Sequence, residues 1–539
     1  MAYEDILRRL GEFGRYQQRI YLLLCLPAIS CALHKLSGVF LQAKADHRCL
    51  LPYEGENATY NLPGWELNMT LPWDSKKKRW SSCRRLDANF SRQYMESGSP
   101  ASSSVKCENY VYDHSQFSSS AVTEWDLVCD REWLRPTADA FVMAGVLLGA
   151  TFFGALSDRY GRRPIFFVSL VLQVVTGTLV ALSPEYISFL ILRLVVGLSS
   201  SGVFLVAYVL AMEMVGPSKR LFAGVVVQMF FTLGYIFTAV LAYFIKDWRI
   251  LQVALTLPGT VFLIYWWFIP ESARWLITKG RIDEAKKVLL SAAKENNVTI
   301  PDEMLEGLLP SASEKEQPPV ETATVLDLFR HPNMRKRTLN IFFNWFANNI
   351  TYYGLSWNTS NLGGNQYINF FICGAVEIPA YLFLLLTLNR WGRKKILVGC
   401  MLFAGLALVL TPFIPTDMNW LAITLVMIGK LAITASYGTV YVFTVEQFPT
   451  VIRNVALGAS STCARVGGII APYMNLLAGV WNPLPQLIFG LVTLVAGLLA
   501  LLLPETLNRT LPDTIAEGER FGSKPDSQEI NLTEEPDKV

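Results

Sequence analysis

Apolar residues in this chain gather into runs of about twenty, separated by short polar turns. A hydrocarbon layer about 30 Å thick takes roughly 20 residues of α-helix to cross. Twelve runs approach or reach that length: 20–41, 138–156, 164–182, 187–211, 222–245 and 250–269, then 338–357, 367–388, 396–414, 419–443, 454–478 and 485–503. The first run outlasts the apolar part of a cleavable leader, carries His34 and Lys35, and ends without a small-x-small site, so it reads as a retained span. Ahead of it, residues 1–19 set Ile6, Leu7, Leu10 and Phe13 at helical spacing among charges. That pattern predicts an amphipathic cytoplasmic segment lying along the membrane surface.

Three short motifs recur, as expected of a duplicated architecture. Gly154 to Arg163 is echoed by Asn389-Arg390-Trp391-Gly392-Arg393-Lys394-Lys395. Glu213 to Arg220 is matched by Glu446 to Arg453, and Pro270-Glu271-Ser272 by Pro504-Glu505-Thr506. The predicted fold class is therefore all-α and polytopic, with twelve transmembrane helices in two six-helix halves, 20–269 and 338–503. Bases cluster in the loops holding Arg159, Arg162 and Arg163, Lys219 and Arg220, Arg335 to Arg337, and Arg390 to Lys395. Those loops are assigned to the cytoplasm, along with both termini.

This orientation puts residues 42–137 outside the cell. The loop carries Cys49, Cys83, Cys107 and Cys129, enough for two disulfides in any of three pairings. It also carries glycosylation sequons at Asn57, Asn68 and Asn89. Residues 270–337 read as a cytoplasmic helical loop and linker, and 504–539 as a cytoplasmic tail, disordered after about residue 520. The charges at the repeated motifs, Asp158, Arg162, Arg163, Glu213, Arg220, Glu271, Arg274, Arg393, Glu446 and Arg453, suggest a cytoplasmic gate. The plainer alternative is exposed ion pairs worth about 0–1 kcal/mol each.

Composition agrees with a membrane chain: 539 residues, 52% hydrophobic, 17% charged, mean hydropathy +0.32. A net charge of +3, spread over small clusters, gives no footprint for nucleic acid. The chain has no phosphate-binding P-loop, no G-x-S-x-G elbow and no H-E-x-x-H helix, so an enzyme or ATP-driven pump is not expected. No cofactor or metal is expected beyond a coupling ion, sodium or proton, whose identity the sequence leaves open.

Two six-helix halves, the Gly154 to Arg163 turn and its echo resemble the major facilitator superfamily. Asp46-His47-Arg48-Cys49, Thr123 to Cys129, Pro270 to Leu276 and Glu377-Ile378-Pro379 are similar to the organic cation, anion and zwitterion branch of the solute carriers, and most similar to its insect organic cation transporter group. The resemblance implies a monomeric functional unit in the plasma membrane, moving small organic ions across the lipid bilayer by alternating access. It places substrate near the midplane between the halves.

Charges inside spans are costly and mark function; here they are His34, Lys35, Arg193, Glu377, Lys430 and Arg465. Arg465 suits a substrate carboxylate, and the resemblance implies Arg there in anion and zwitterion carriers against an acid in cation carriers. Pairing with Glu377 or with backbone carbonyls is its structural alternative, and Lys430 and Arg193 can equally serve as internal bridges. Trp345 and Tyr352 on span seven, Tyr437 and Tyr441 on span ten, and Gln228 and Phe231 on span five supply rings and an amide for an ammonium. The resemblance puts Gln228, Phe231, Trp345, Tyr352, Glu377 and Tyr437 at pocket positions. The expected function is secondary transport of organic cations or of carnitine-like or betaine-like zwitterions. Organic anion transport and a transporter-fold sensor are the alternatives.

Overall fold

The computed structural model describes residues 2–55, 58–75, 78–96, 98–307, 324–509 and 512–521. Its long helices match the twelve runs. The first span, Arg15–Leu41, is interrupted at Leu26, ahead of Pro27. Then come Leu134–Tyr160, Arg162–Ala181, Tyr186–Met214, Arg220–Phe244 and Trp248–Phe262. The later six are Pro332–Trp357, Gln366–Trp391, Arg393–Leu410, Asn419–Gln447, Arg453–Asn475 and Leu484–Ala500.

Nine helices among the described residues are long and apolar enough to cross a membrane. Of the other three, span twelve is short, at 17 residues. Spans seven and eleven are polar: seven buries Thr338, Asn344, Asn348, Asn349 and Thr351, and eleven carries Ser460, Ser461, Thr462 and Arg465. A helix polar along one stripe is stable in a bilayer only where that stripe meets protein or water.

The chain forms two compact units. The first is Met1–Leu309 with Ser356–Ala375 and Ile469–Val480; the second is Pro310–Leu355, Val376–Gly468 and Trp481–Val539. In the first, spans two and four approach backbone to backbone. A Cβ on Gly145 would fall 2.0 Å from the Leu194 carbonyl oxygen, and one on Gly197 would fall 2.1 Å from that of Val142. Small residues give this contact where solvent supplies no hydrophobic drive.

The loop between spans one and two folds on short ladders, His47–Cys49 against Tyr110–Tyr112 and Arg84–Leu86 against Ser104–Lys106. Its disulfides join Cys49 to Cys107 and Cys83 to Cys129. Asn68 and Asn89 are exposed, whereas Asn57 lies outside the described residues. The Thr123 to Cys129 motif fastens the loop to the spans. Glu124 accepts from Trp248 Nε1 at 2.8 Å and pairs with Arg249, and the Trp125 ring packs against Tyr186, Phe189 and Trp248.

The apolar stripe of the amphipathic segment packs on protein. Ile6, Leu7 and Leu10 are at most 2% exposed, because they face Met214, Ala273, Val288, Leu289 and Ala292 of the polar linker and span four. Tyr3 Oη donates to the Glu213 carbonyl, and Asn296 bonds Tyr16 N, Gln17 and the Leu10 carbonyl. Burial of that stripe against protein removes the same apolar area from water that a lipid surface would.

At the other end, a helix at Ile515–Arg520 is clamped to the start of span seven. Arg337 donates to the carbonyls of Gly518 and Phe521, and the Glu519 carboxylate accepts from Asn333 N and Met334 N, both at 2.9 Å. Each helix end thus satisfies the other's orphan backbone groups. Residues 308–323 of the linker and the tail beyond 521 lie outside the described residues.

Candidate substrate site and its gate network

The aromatic residues of spans seven and ten meet in the second unit. Tyr437 and Tyr441, four apart, share a helix face and lie 5.6 Å apart between ring centroids. Trp345 stands edge-on to Tyr441 at 4.4 Å and to Tyr437 at 6.0 Å, and Tyr352 lies 5.7 Å from Tyr437. Hydrogen bonds lock the rings: Trp345 Nε1 donates to Thr444 Oγ1 at 2.8 Å, and Asn349 Nδ2 to Tyr437 Oη at 2.9 Å. Tyr441 is 36% exposed.

This row ends in a buried ion pair. Lys430 Nζ lies 3.0 Å from Glu377 Oε1, both side chains fully buried, and 3.2 Å from the Tyr352 ring centroid. Lys430 therefore bridges spans eight and ten inside the unit, and it is Lys430 that takes up Glu377. Arg465 donates through Nη1 to the Ser461 carbonyl and hydroxyl, one turn back on its own helix. Among the described residues it has no carboxylate partner. The rings of Tyr353, Tyr437 and Tyr441 stand within electrostatic range of its charge.

Gln228 and Phe231 belong to the first unit. Phe231 is buried and edge-on to Phe204 of span four at 6.0 Å. Lys35 Nζ lies 5.4 Å from the Phe204 ring and 5.7 Å from the Phe231 ring.

Two features escaped the sequence reading. Asn340, Asn344 and Asn348 form a ladder down span seven: the Asn344 and Asn348 amides each donate to the carbonyl one turn earlier, the Asn340 amide donates to the Leu499 carbonyl of span twelve, and Asn348 Oδ1 accepts from Ser436 Oγ at 2.7 Å. Their spacing of four was the available signal. Asp139 is the other, a buried carboxylate 3.0 Å from Arg193, at the second residue of the apolar run 138–156.

Among the described residues, the ion pairs of the charges expected at the gate each join groups of one unit. Arg162 pairs with Asp158 and, at 3.2 Å, with Glu213; Arg393 pairs with Glu446 at 3.0 Å. Glu271 is a helix cap. It accepts from Arg162 N at 3.0 Å, Arg163 N at 3.2 Å and Ser272 N at 2.8 Å, so one carboxylate satisfies the start of span three. Glu505 repeats the device at span nine, accepting from Arg393 N at 3.0 Å and Thr506 N at 2.9 Å. Arg163 instead stacks 4.5 Å from the Trp266 ring centroid, and Arg220 pairs with Glu4 at 3.3 Å. Arg274 and Arg453 join no ion pair among the described residues.

The cap explains the repeated glycine. Gly161 sits at φ 114°, ψ 156° and Gly392 at φ 95°, ψ 154°, a region essentially reserved for glycine. A Cβ on Gly161 would fall 2.4 Å from Glu271 Oε2. Gly161→Ala is expected to cost about 1–3 kcal/mol, read as a lowered melting temperature of the detergent-solubilised protein. An unshifted melt would show that the turn tolerates a side chain.

Comparison with known proteins accords with this architecture. The sequence profile described as sugar (and other) transporter matches residues 103–515. An organic cation transporter protein from Drosophila melanogaster is 57% identical, over 98% of this chain and 96% of its own length. The human organic cation/carnitine transporter 2 is 37% identical, over 95% and 93%. The solved structure of the xylose transporter XylE from E. coli aligns with a TM-score of 0.59 at 14% identity, over 92% of this chain and 100% of that one; at that identity the likeness shows the fold alone. The chain belongs to the sugar (and other) transporter family of the major facilitator superfamily, within its organic cation and carnitine solute carrier branch.

Proposed function

We propose that this protein is a plasma-membrane carrier that moves small organic zwitterions of the carnitine or betaine type, together with organic cations, by alternating access. It works as a monomer, with residues 42–137 outside and both termini in the cytoplasm. The two disulfides of the loop and its exposed sequons support that orientation. The names of its relatives, an organic cation transporter and an organic cation/carnitine transporter, support the substrate class.

The observation that carries the zwitterion reading is the charge balance of the second unit. Glu377 and Lys430 neutralise each other, which leaves Arg465 beside the aromatic row without a carboxylate among the described residues. A substrate bearing a carboxylate would supply that partner, while its ammonium rests on the rings of Trp345, Tyr437 and Tyr441 at about 0.5–2 kcal/mol per ring. Gln228 and Phe231 are assigned to substrate contact as well. The gate residues Asp158, Arg162, Glu213, Arg393 and Glu446 set turnover, and their loss should lower the rate more than the affinity.

Competition uptake decides the matter. Labelled carnitine should accumulate and exchange, with betaine and tetraethylammonium competing and a dicarboxylate failing to compete. Competition by anions alone would replace this reading with an anion carrier, and saturable binding without exchange would replace it with a receptor.

A further inference from the structure

The substrate reading draws on the rings and the guanidinium of the second unit and leaves one buried amide half used. Asn349, on span seven, comes four residues after Trp345 and three before Tyr352, a spacing that sets all three on one face of the helix. It is 3% exposed. Its Nδ2 donates to Tyr437 Oη at 2.9 Å, and its Oδ1, buried as well, has no hydrogen-bond partner among the described residues. The Tyr437 ring that it grips lies 6.0 Å from Trp345 and 5.7 Å from Tyr352, within electrostatic range of Arg465. The amide thus stands beside the rings assigned to the ammonium and the base assigned to the carboxylate, all of them in one unit. The other asparagines of span seven are spent elsewhere. Their ladder turns to Leu499 of span twelve and Met401 of span nine.

We propose that Asn349 is a hydroxyl-binding subsite, which reads a hydroxyl carried between the ammonium and the carboxylate of the substrate; the inference rests on the zwitterion reading above. A buried acceptor without a partner is costly to keep, and a ligand that supplies the missing bond recovers that cost on binding. A hydroxyl donates and accepts, so it completes the amide whichever of its head atoms faces the ligand. The amide is neutral. It adds selectivity without disturbing the charge balance of Glu377, Lys430 and Arg465. The favoured class is therefore a hydroxylated betaine such as carnitine, because a betaine without the hydroxyl leaves the amide unpaired.

Three contacts of different chemistry fix handedness as well. Arg465 takes the carboxylate, the rings take the ammonium, and Asn349 takes the group on the carbon between them. The mirror-image molecule can satisfy both charged contacts, and it then turns its hydroxyl away from Asn349. If Asn349 did no more than hold Tyr437 in place, neither the hydroxyl nor its handedness would be read.

The full chain in proteoliposomes is given labelled carnitine of each hand and the deoxy analogue that lacks only the hydroxyl, with labelled tetraethylammonium as a reference. The parent should take one enantiomer with a kcat/KM about tenfold above both its mirror image and the deoxy analogue. Asn349→Leu, which keeps the size and removes both polar head atoms, should bring the two ratios to about one. If the parent lacks either preference, or Asn349→Leu keeps the parent's ratios, this proposal falls and the zwitterion reading stands. If tetraethylammonium exchanges and no zwitterion does, the zwitterion reading falls and takes the proposal with it. If nothing exchanges, the carrier reading falls with both. Should the leucine variant fail to fold, Asn349→Ala supplies the same ratios.

Discussion

Replacing Arg465 by aspartate is expected to raise the KM for carnitine by roughly 10- to 100-fold, while tetraethylammonium uptake is retained or improved. Hydrogen bonds to a charged group contribute about 1.5–3 kcal/mol, and the new carboxylate repels the substrate's own. Arg465→Lys keeps the charge and loses the planar two-point contact, so it should fall between parent and aspartate. The prediction follows from where Arg465 spends its hydrogen bonds. Among the described residues, Ser461, on its own helix, is the residue that accepts from it, so the side chain is held in place with no carboxylate beside it. Uptake of both substrate classes in one membrane preparation checks this. A loss that is equal for carnitine and tetraethylammonium would mean that Arg465 serves the fold.

Lys430→Ala is expected to destabilise the protein by about 3–5 kcal/mol, because it strands the Glu377 carboxylate in a site with no exposure. The paired change Lys430→Met with Glu377→Leu removes both charges and should restore most of the lost thermal stability. The pair of variants separates two roles that the geometry alone combines. If Glu377 only holds spans eight and ten together, the doubly substituted protein transports as the parent does. If Glu377 also meets the substrate's ammonium, stability returns and cation uptake does not. Thermal melts and uptake on the same three preparations give both readouts, and stable behaviour of Lys430→Ala alone would contradict the buried pair.

The spans were legible because a bilayer imposes one length and one polarity on every crossing segment. Even spans seven and eleven, which pass too many polar groups for a hydropathy window, showed as runs of about twenty residues between polar turns. Partners were far less legible. Glu377 stood as a possible mate for Arg465, yet it bonds Lys430, 53 residues away in sequence and adjacent only once spans eight and ten have packed. Glu271 had the spacing of a latch and turned out to cap a helix that starts 109 residues earlier. Such choices depend on which helix faces meet, and a linear pattern does not record that. The loop shows the same limit: four cysteines allow three pairings, and the fold realises Cys49 with Cys107 and Cys83 with Cys129.

The clamp between Arg337 and the helix at Ile515–Arg520 fixes where this polypeptide can be cut or labelled. A chain ended before Thr514 loses the carbonyls that hold the Arg337 guanidinium and the Glu519 carboxylate that satisfies the first amides of span seven. A fluorescent protein joined after residue 521 leaves all of those bonds intact. Reporter fusions belong beyond that point, and a trimmed variant that expresses poorly would owe its failure to an uncapped seventh helix before any loss of a regulatory tail.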